Sequence, residues 1–446
     1  MSSFAKEILQ GPKPGEGKIA CRGDREYPVA RSDTALVLID MQADFLNPDG
    51  RVGQHYQDTP IRSGMEGCKR LLAAARAAGL TIAHSRSHRY GANVRDDLPG
   101  TSDPGYELHP DLRALPGEIV VDKWTFGAFA STPLEDELRA RGVERILLCG
   151  VLTNVCVFAT ASQAVDRFFR VCLVEDACAA FSKDWHEMAI KLINEPQTKK
   201  GHNAQVGMYF GEVCSVSAVE IALKPVAALP KLPARGQATE APKKFAHDIQ
   251  RRQAMSSFAK EILQGPKPGE GKIACRGDRE YPVARSDTAL VLIDMQADFL
   301  NPDGRVGQHY QDTPIRSGME GCKRLLAAAR AAGLTIAHSR SHRYGANVRD
   351  DLPGTSDPGY ELHPDLRALP GEIVVDKWTF GAFASTPLED ELRARGVERI
   401  LLCGVLTNVC VFATASQAVD RFFRVCLVED ACAAFSKDWH EMAIKL

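Results

Sequence analysis

The chain has 446 residues, of which 44% are hydrophobic and 25% charged, with a formal net charge of −2. This is the balance of a globular protein with enough apolar residues for full cores, and length alone suggests about three domains. Interspersed charge of both signs gives no basic footprint for nucleic acid, so a neutral or small anionic metabolite fits better as a partner. No run of eighteen apolar residues occurs, and the opening MSSFAKEILQGPKPGEGK lacks an apolar signal core. The expectation is a cytoplasmic chain without a membrane span.

In chain order, apolar runs alternate with helical stretches, the mark of βα units around a parallel sheet. The runs are TALVLI (34–39), LTIAHS (80–85), EIVVD (118–122), RILLCG (145–150), VCLVED (171–176) and VGMYF (206–210), which predict six strands. Between the first two lies GMEGCKRLLAAARAAG, with apolar residues at helical spacing and Gly79 placed as a stop. Further helices are predicted at 132–141, 154–167, 183–192 and 215–223.

After a segment rich in Pro, Ala and Lys (225–254), which reads as a semi-extended linker, the sequence starts again. Residues 255–446 repeat residues 1–192 without a single difference, at an offset of 254. A period this long is a whole domain written twice rather than a solenoid unit. The predicted organisation is a domain at 1–224, a linker at 225–254, and a second copy at 255–446 without counterparts of the VGMYF strand and the helix after it. The two copies are expected to pair with each other or to form a homo-oligomer. Seven of the thirteen cysteines lie in the first copy and six in the second; none forms a C-x-x-C pair, so buried reduced thiols are expected.

In open parallel sheets the ligand sits beyond the carboxyl ends of the strands, and three of those ends carry reactive side chains. Asp40 follows TALVLI, Lys123 follows EIVVD, and Cys156 follows RILLCG after the short turn VLTN. Each has a plain alternative: a turn residue, a solvated amine, a small core hydrophobe. Together they make a nucleophile, base and cation set. A thiol in the first turn of a helix meets the positive end of the dipole, which favours the thiolate. Asp40 can take its proton and later return one to a leaving amine, and backbone N–H groups at the helix start can receive an oxyanion.

LVLIDMQADFL, DKWTFGAFASTPLEDELRARGVERILLCGVLTNVCV and VCLVEDACAAFS resemble the three signature regions of the isochorismatase-like cysteine hydrolases. The resemblance covers nearly all of residues 30–220. It implies a Rossmann-like three-layer α/β/α fold with a six-stranded parallel sheet, present twice. It also implies a catalytic triad of Asp40, Lys123 and Cys156, repeated as Asp294, Lys377 and Cys410, and no cofactor. A cis peptide between Val151 and Leu152 is implied just before the nucleophile turn, where these residues and Cys156 would form the oxyanion hole.

The family includes isochorismatases, nicotinamidases, N-carbamoylsarcosine amidases, ureidoacrylate amidohydrolases and biuret hydrolases. A cysteine at 156 favours C–N hydrolysis, because family members that cleave a vinyl ether lack it. The Asp-x-His metal pair of nicotinamidases is missing from HSRSHRYGANVRDDLPG (84–100), and no carboxylate completes a set with His84 and His88, so no metal is expected. This loop is most similar in layout to biuret and ureidoacrylate hydrolases. The expected substrate contacts are Gln42, His88, Arg89, Trp124, Phe129 and Gln205, with Arg86 and Arg95 as further candidates for a carboxylate and Phe126 as a further wall. The function expected is a cysteine-dependent amidohydrolase acting on a small amide or ureide. A nicotinamidase- or isochorismatase-type hydrolase, a binding protein that kept only the fold, and a thiol redox protein are the alternatives; the intact triad and the lack of a second cysteine in motif spacing weigh against the last two.

Overall fold

TALVLI has no polar face to turn to water, so it can only be an inner strand, and all six of its residues are buried. In the computed structural model, which describes residues 17–57, 61–89, 97–194, 210–224, 271–310, 315–343 and 352–446, it is the third strand of the first copy. An antiparallel hairpin, β1 (Gly17–Cys21) and β2 (Arg25–Val29), precedes it; the alternation of this segment was not read as strand in the sequence. The sheet proper contains β3 (Thr34–Ile39), β4 (Thr81–Ser87), β5 (Ile119–Lys123), β6 (Arg145–Val151), β7 (Arg170–Ala179) and β8 (Glu212–Cys214). Its order is β5-β4-β3-β6-β7-β8, and every pairing is parallel. The chain winds one way from β3 and the other way from β6, so the crevice between the ends of these strands is the switch point where such sheets bind ligands.

The helix Ile61–Ala78 buries Cys68, Leu71, Leu72, Ala75 and Ala78 along one stripe and ends at Gly79, which has a φ of +72°. Helices Leu134–Ala140, Phe158–Asp166, Lys183–Asn194 and Val216–Leu223 complete the first copy, the last capped by the Ser215 hydroxyl on Ala218 N–H. The last strand described is Glu212–Cys214; of the expected VGMYF strand only Phe210 is described, and residues 206–209 lie outside the described residues. The linker lies outside the described residues. No helix among the described residues is long and apolar enough to cross a membrane.

The second copy repeats the hairpin as β9 (Gly271–Cys275) and β10 (Arg279–Val283). Its sheet contains β11 (Thr288–Ile293), β12 (Thr335–Ser341), β13 (Ile373–Lys377), β14 (Arg399–Val405) and β15 (Arg424–Ala433), in the order β13-β12-β11-β14-β15. Among the described residues β15 has no neighbour equivalent to β8, and its first six residues are half-buried, whereas the first five of β7 are buried. The hairpin is affected too. In the first copy Arg25 pairs with Glu212 and Tyr27 is buried, but in the second Arg279 turns to its own Arg276 carbonyl and Tyr281 is half-buried.

The copies meet through the helices Phe158–Asp166 and Phe412–Asp420, where the rings of Phe158 and Phe412 cross at 4.7 Å. Phe210 of the first copy also packs on Phe380 of the second at 5.3 Å.

In the first copy the terminal strand and helix bury Phe210, Val213, Val216, Val219 and Leu223, each contributing about 1.5–3 kcal/mol when fully buried. Residues 255–446 expressed alone are therefore expected to melt more than about 10 °C below residues 1–224, or without cooperativity. Comparable melts by circular dichroism would show that the terminal strand is dispensable.

Candidate active site

Strand alternation builds the acid end of the site. Along β4, Ser85 and Ser87 share one face, and the register sets Ser85 beside Ile39 of β3 and Ser87 beside Lys123 of β5. Asp40, one residue past β3, takes a left-handed backbone with φ of 55°. Its carboxylate accepts from the Ser85 hydroxyl on Oδ1 (2.9 Å) and from the Ser87 hydroxyl on Oδ2 (2.7 Å). Lys123 Nζ lies 2.8 Å from Oδ2, and both side chains are 0% exposed. The ammonium donates further to Ser87 Oγ (2.6 Å) and the Thr125 carbonyl (3.1 Å). The second copy reproduces the pair, with Lys377 Nζ 2.8 Å from Asp294.

The cysteine end comes from β6. Its last residue, Val151, is joined to Leu152 by a cis peptide, as is Val405 to Leu406. Cys156 then sits in a single wide turn of π type, Thr153–Val157, ahead of the regular helix at Phe158. The sequence placed it in the first turn of an α-helix; the extra residue in the turn is the difference, and such turns recur at functional sites. Cys156 is buried. The Thr153 hydroxyl lies 2.9 Å from His186 Nδ1, tying this turn to the Lys183–Asn194 helix.

Tyr56 completes the surroundings. Burial first, and then the negative charge available to Cys156 and Asp40, pushes its hydroxyl far above the ordinary tyrosine range. Its ring rests edge-on against Phe181 at 5.4 Å, and among the described residues its buried hydroxyl meets no hydrogen-bond partner.

The Isochorismatase domain family matches residues 34–202 and again residues 288–446. The chain belongs to the isochorismatase family. It is 35% identical over 182 residues to the streptothricin hydrolase of Streptomyces noursei, covering 41% of this chain and 68% of that protein. The ureidoacrylate amidohydrolase RutB of Variovorax paradoxus is 29% identical over 181 residues, 34% of this chain and 72% of the relative. Among solved structures, a cysteine hydrolase from Pseudomonas syringae pv. phaseolicola matches with 26% identity and a TM-score of 0.38, covering 44% of this chain and 95% of that one.

In this isochorismatase-family site the outer residues divide. Gln42 is fully buried and spends its amide on backbone, donating to the Ser87 and Tyr106 carbonyls and accepting from Ser87 N–H. It holds the serine between Asp40 and Lys123 instead of reaching a ligand. Phe129 is a core residue, stacked on Phe169 at 5.6 Å. Arg86 is committed to Asp122 and Glu107. His88 stands edge-on to Tyr106 and Trp124, at 6.2 and 6.0 Å. Arg89 is partly exposed, with the Asp103 carboxylate at 3.8 Å. Gln205 and Arg95 lie outside the described residues.

His84 meets Glu118 (3.1 Å), in a clamp with Arg76. Among the described residues no group of three or more His, Cys, Asp or Glu could hold a metal. Sequence reading passed over Ser85, Ser87 and Tyr56; the S-x-S alternation at the end of a strand was the legible signal for the serines.

Removing one partner of a buried ion pair strands the other charge. Lys123→Ala in residues 1–224 is therefore expected to lose about 3–5 kcal/mol of stability as well as turnover, read by urea denaturation; an unchanged midpoint would show the pair to be decoupled from the fold.

Burial pushes Glu118 up, but Arg76, the Leu115 N–H and His84 outweigh it and hold the carboxyl at about 2. A depressed carboxyl stabilises the fold above its unfolded value, and that contribution is lost as pH falls toward 2. Glu118→Gln is expected to lower the melting temperature most near pH 7 and progressively less below about pH 4.5. A pH-independent difference would contradict this assignment.

Proposed function

We propose that the chain is a cysteine-dependent amidohydrolase that cleaves the C–N bond of a small amide or ureide, of the biuret, ureidoacrylate or N-carbamoyl class. The observation that carries this reading is the buried Asp40–Lys123 pair at the end of β3, whose sheet neighbour β6 leads into the turn that holds Cys156.

In the first half-reaction the Cys156 thiol proton passes to Asp40 as sulfur bonds to the carbonyl carbon. The oxyanion is received by backbone N–H groups of the Leu152–Cys156 turn, and Lys123 holds Asp40 in place while stabilising negative charge. Asp40 returns its proton to the nitrogen as the C–N bond breaks, leaving a thioester on Cys156 and a free amine or ammonia. Water then attacks the thioester; Asp40 accepts its proton and the thiol is restored as the acid leaves.

The substrate class rests on what stands around this centre. The Tyr56 hydroxyl is a buried polar group suited to a carbonyl or amide of the ligand. Arg89 offers a guanidinium fork to a carboxylate, as an ureidoacrylate or a carbamoyl amino acid carries. His88 and Trp124 supply a flat wall. The relatives named for streptothricin and ureidoacrylate hydrolysis are consistent with C–N chemistry.

The test is ammonia release by the full chain from biuret, ureidoacrylate, N-carbamoyl amino acids, nicotinamide and simple amides. Cys156→Ala combined with Cys410→Ala is expected to reduce turnover by at least about a thousandfold with little change in melting temperature. Acid quenching of the active protein should trap an acyl adduct on the nucleophile peptide. Turnover close to that of the parent in the double variant would refute cysteine chemistry.

A further inference from the structure

The helix that follows each nucleophile ends on an aspartate that reaches into the other copy. Asp420 Oδ1 accepts from the Phe126 N–H at 2.7 Å, and Asp420 Oδ2 from the Gly127 N–H at 2.9 Å. Gln163 Nε2 donates to the same Oδ2 at 2.6 Å. The arrangement is reciprocal: Asp166 accepts from Phe380 N–H (2.6 Å), Gly381 N–H (2.9 Å) and Gln417 Nε2 (2.6 Å). Mutual exchange of this kind is what a two-fold contact between identical units produces. Both carboxylates are buried, at 6% and 3% exposure.

The bonded N–H groups belong to the loop that follows the site lysine. Phe126 N–H and the Thr125 carbonyl are the two ends of one planar peptide, and that carbonyl accepts from Lys123 Nζ. In the second copy Lys377 Nζ donates to both the Thr379 carbonyl (3.1 Å) and the Phe380 carbonyl (3.0 Å), so two successive peptides link the ammonium to Asp166. The negative end of each peptide dipole faces the lysine and the positive end faces the aspartate of the other copy, an order in which each hydrogen bond polarises the next. Burial raises the carboxyls of Asp420 and Asp166, while the two N–H donors and the charge of Lys123 or Lys377 act against it.

The rest of the loop is fixed from within its own copy. Ala128 N–H donates to Thr160 Oγ1 (3.1 Å) and Phe129 N–H to Gln163 Oε1 (3.1 Å). A Cβ on Gly127 would collide with the Gln163 amide, so the loop approaches as closely as it does because glycine stands there. Of the four N–H groups from Phe126 to Phe129, the two on the lysine side, Phe126 and Gly127, are the ones bonded from across the interface.

We infer that Asp420 is a positioning residue for the first active site, acting from the second copy through the Thr125–Phe126 peptide on Lys123, and that Asp166 does the same for Lys377. The inference rests on the reading above in which Lys123 serves the Cys156 reaction. It gives the repeat a function: each copy completes the other's lysine loop, and a second copy that contributes no turnover of its own still supports the first site.

The experiment uses the full chain carrying Cys410→Ala, so that turnover reports the first site. In this background Asp420→Ala is expected to lower kcat about 10- to 100-fold, and Asp166→Ala to cost at least about tenfold less. Asp420→Asn, which keeps one acceptor oxygen, falls between the parent and Asp420→Ala. Melting temperatures control for loss of fold, because each alanine variant removes the same bonds from one half of the same interface. A readout independent of turnover is alkylation of Cys156 by iodoacetamide, localised by mass spectrometry, which slows in the same order. Equal losses in Asp420→Ala and Asp166→Ala, or a larger loss in Asp166→Ala, would overturn the inference and leave both residues as interface contacts only. If the Cys410→Ala parent turns over no substrate while the alkylation order holds, the amidohydrolase reading fails and the trans positioning stands.

Discussion

An ammonium and a carboxylate held 2.8 Å apart, neither exposed to solvent, is the constraint around which this fold is organised. Taking two charges out of water is costly, and their attraction offsets that cost only where the remaining lone pairs and protons are also satisfied. Two serine hydroxyls and a loop carbonyl satisfy them here. Those partners in turn fix their own supports. Ser87 is held on both of its backbone groups by Gln42, and the loop carbonyl belongs to a peptide anchored on Asp420. Residues one step removed from the ion pair thus decide how it is held.

The parallel sheet supplies the rest of the positioning without special devices. Because β3 and β6 are neighbours with opposite winding beyond them, whatever follows each strand is delivered to one crevice. Asp40 follows one and the Cys156 turn follows the other. The hydroxyls come from β4, next in order, by the two-residue period of a strand. Three short segments far apart in sequence are thereby brought together by strand order alone.

Identity of sequence does not make the two copies identical in environment. Phe210 of the first copy covers Phe380 of the second, and Phe380 is buried where Phe126 is only half-buried. Arg70 finds Glu220 on the terminal helix, whereas Arg324 lies largely exposed beside Asp430. Yet both lysine–aspartate pairs keep the same separation, since β11, β12 and β13 lie on the side of the sheet away from the missing edge. The asymmetry is one of stability at the β15 edge more than of geometry at the site.

What the sequence determined by itself was everything written in local periodicity and strand ends: the parallel α/β fold, five of the six sheet strands to within a few residues, the duplication, and the positions of Asp40, Lys123 and Cys156. Apolar runs and helical stripes are local patterns, and a strand end in a parallel sheet has one meaning wherever it occurs. The strand Glu212–Cys214 was not among the predicted runs because a three-residue edge strand carries too little pattern to be found beside a longer apolar run. The tertiary structure alone decided the partners of polar groups. Gln42 and Phe129 look like ligand contacts in a motif, but one is consumed by backbone and the other by core packing, and Tyr56 carries no motif at all. Asp166 and Asp420 are the clearest case. Nothing within one copy distinguishes an aspartate at a helix end from a solvated one; only docking against a second copy gives it two N–H donors beside the other lysine.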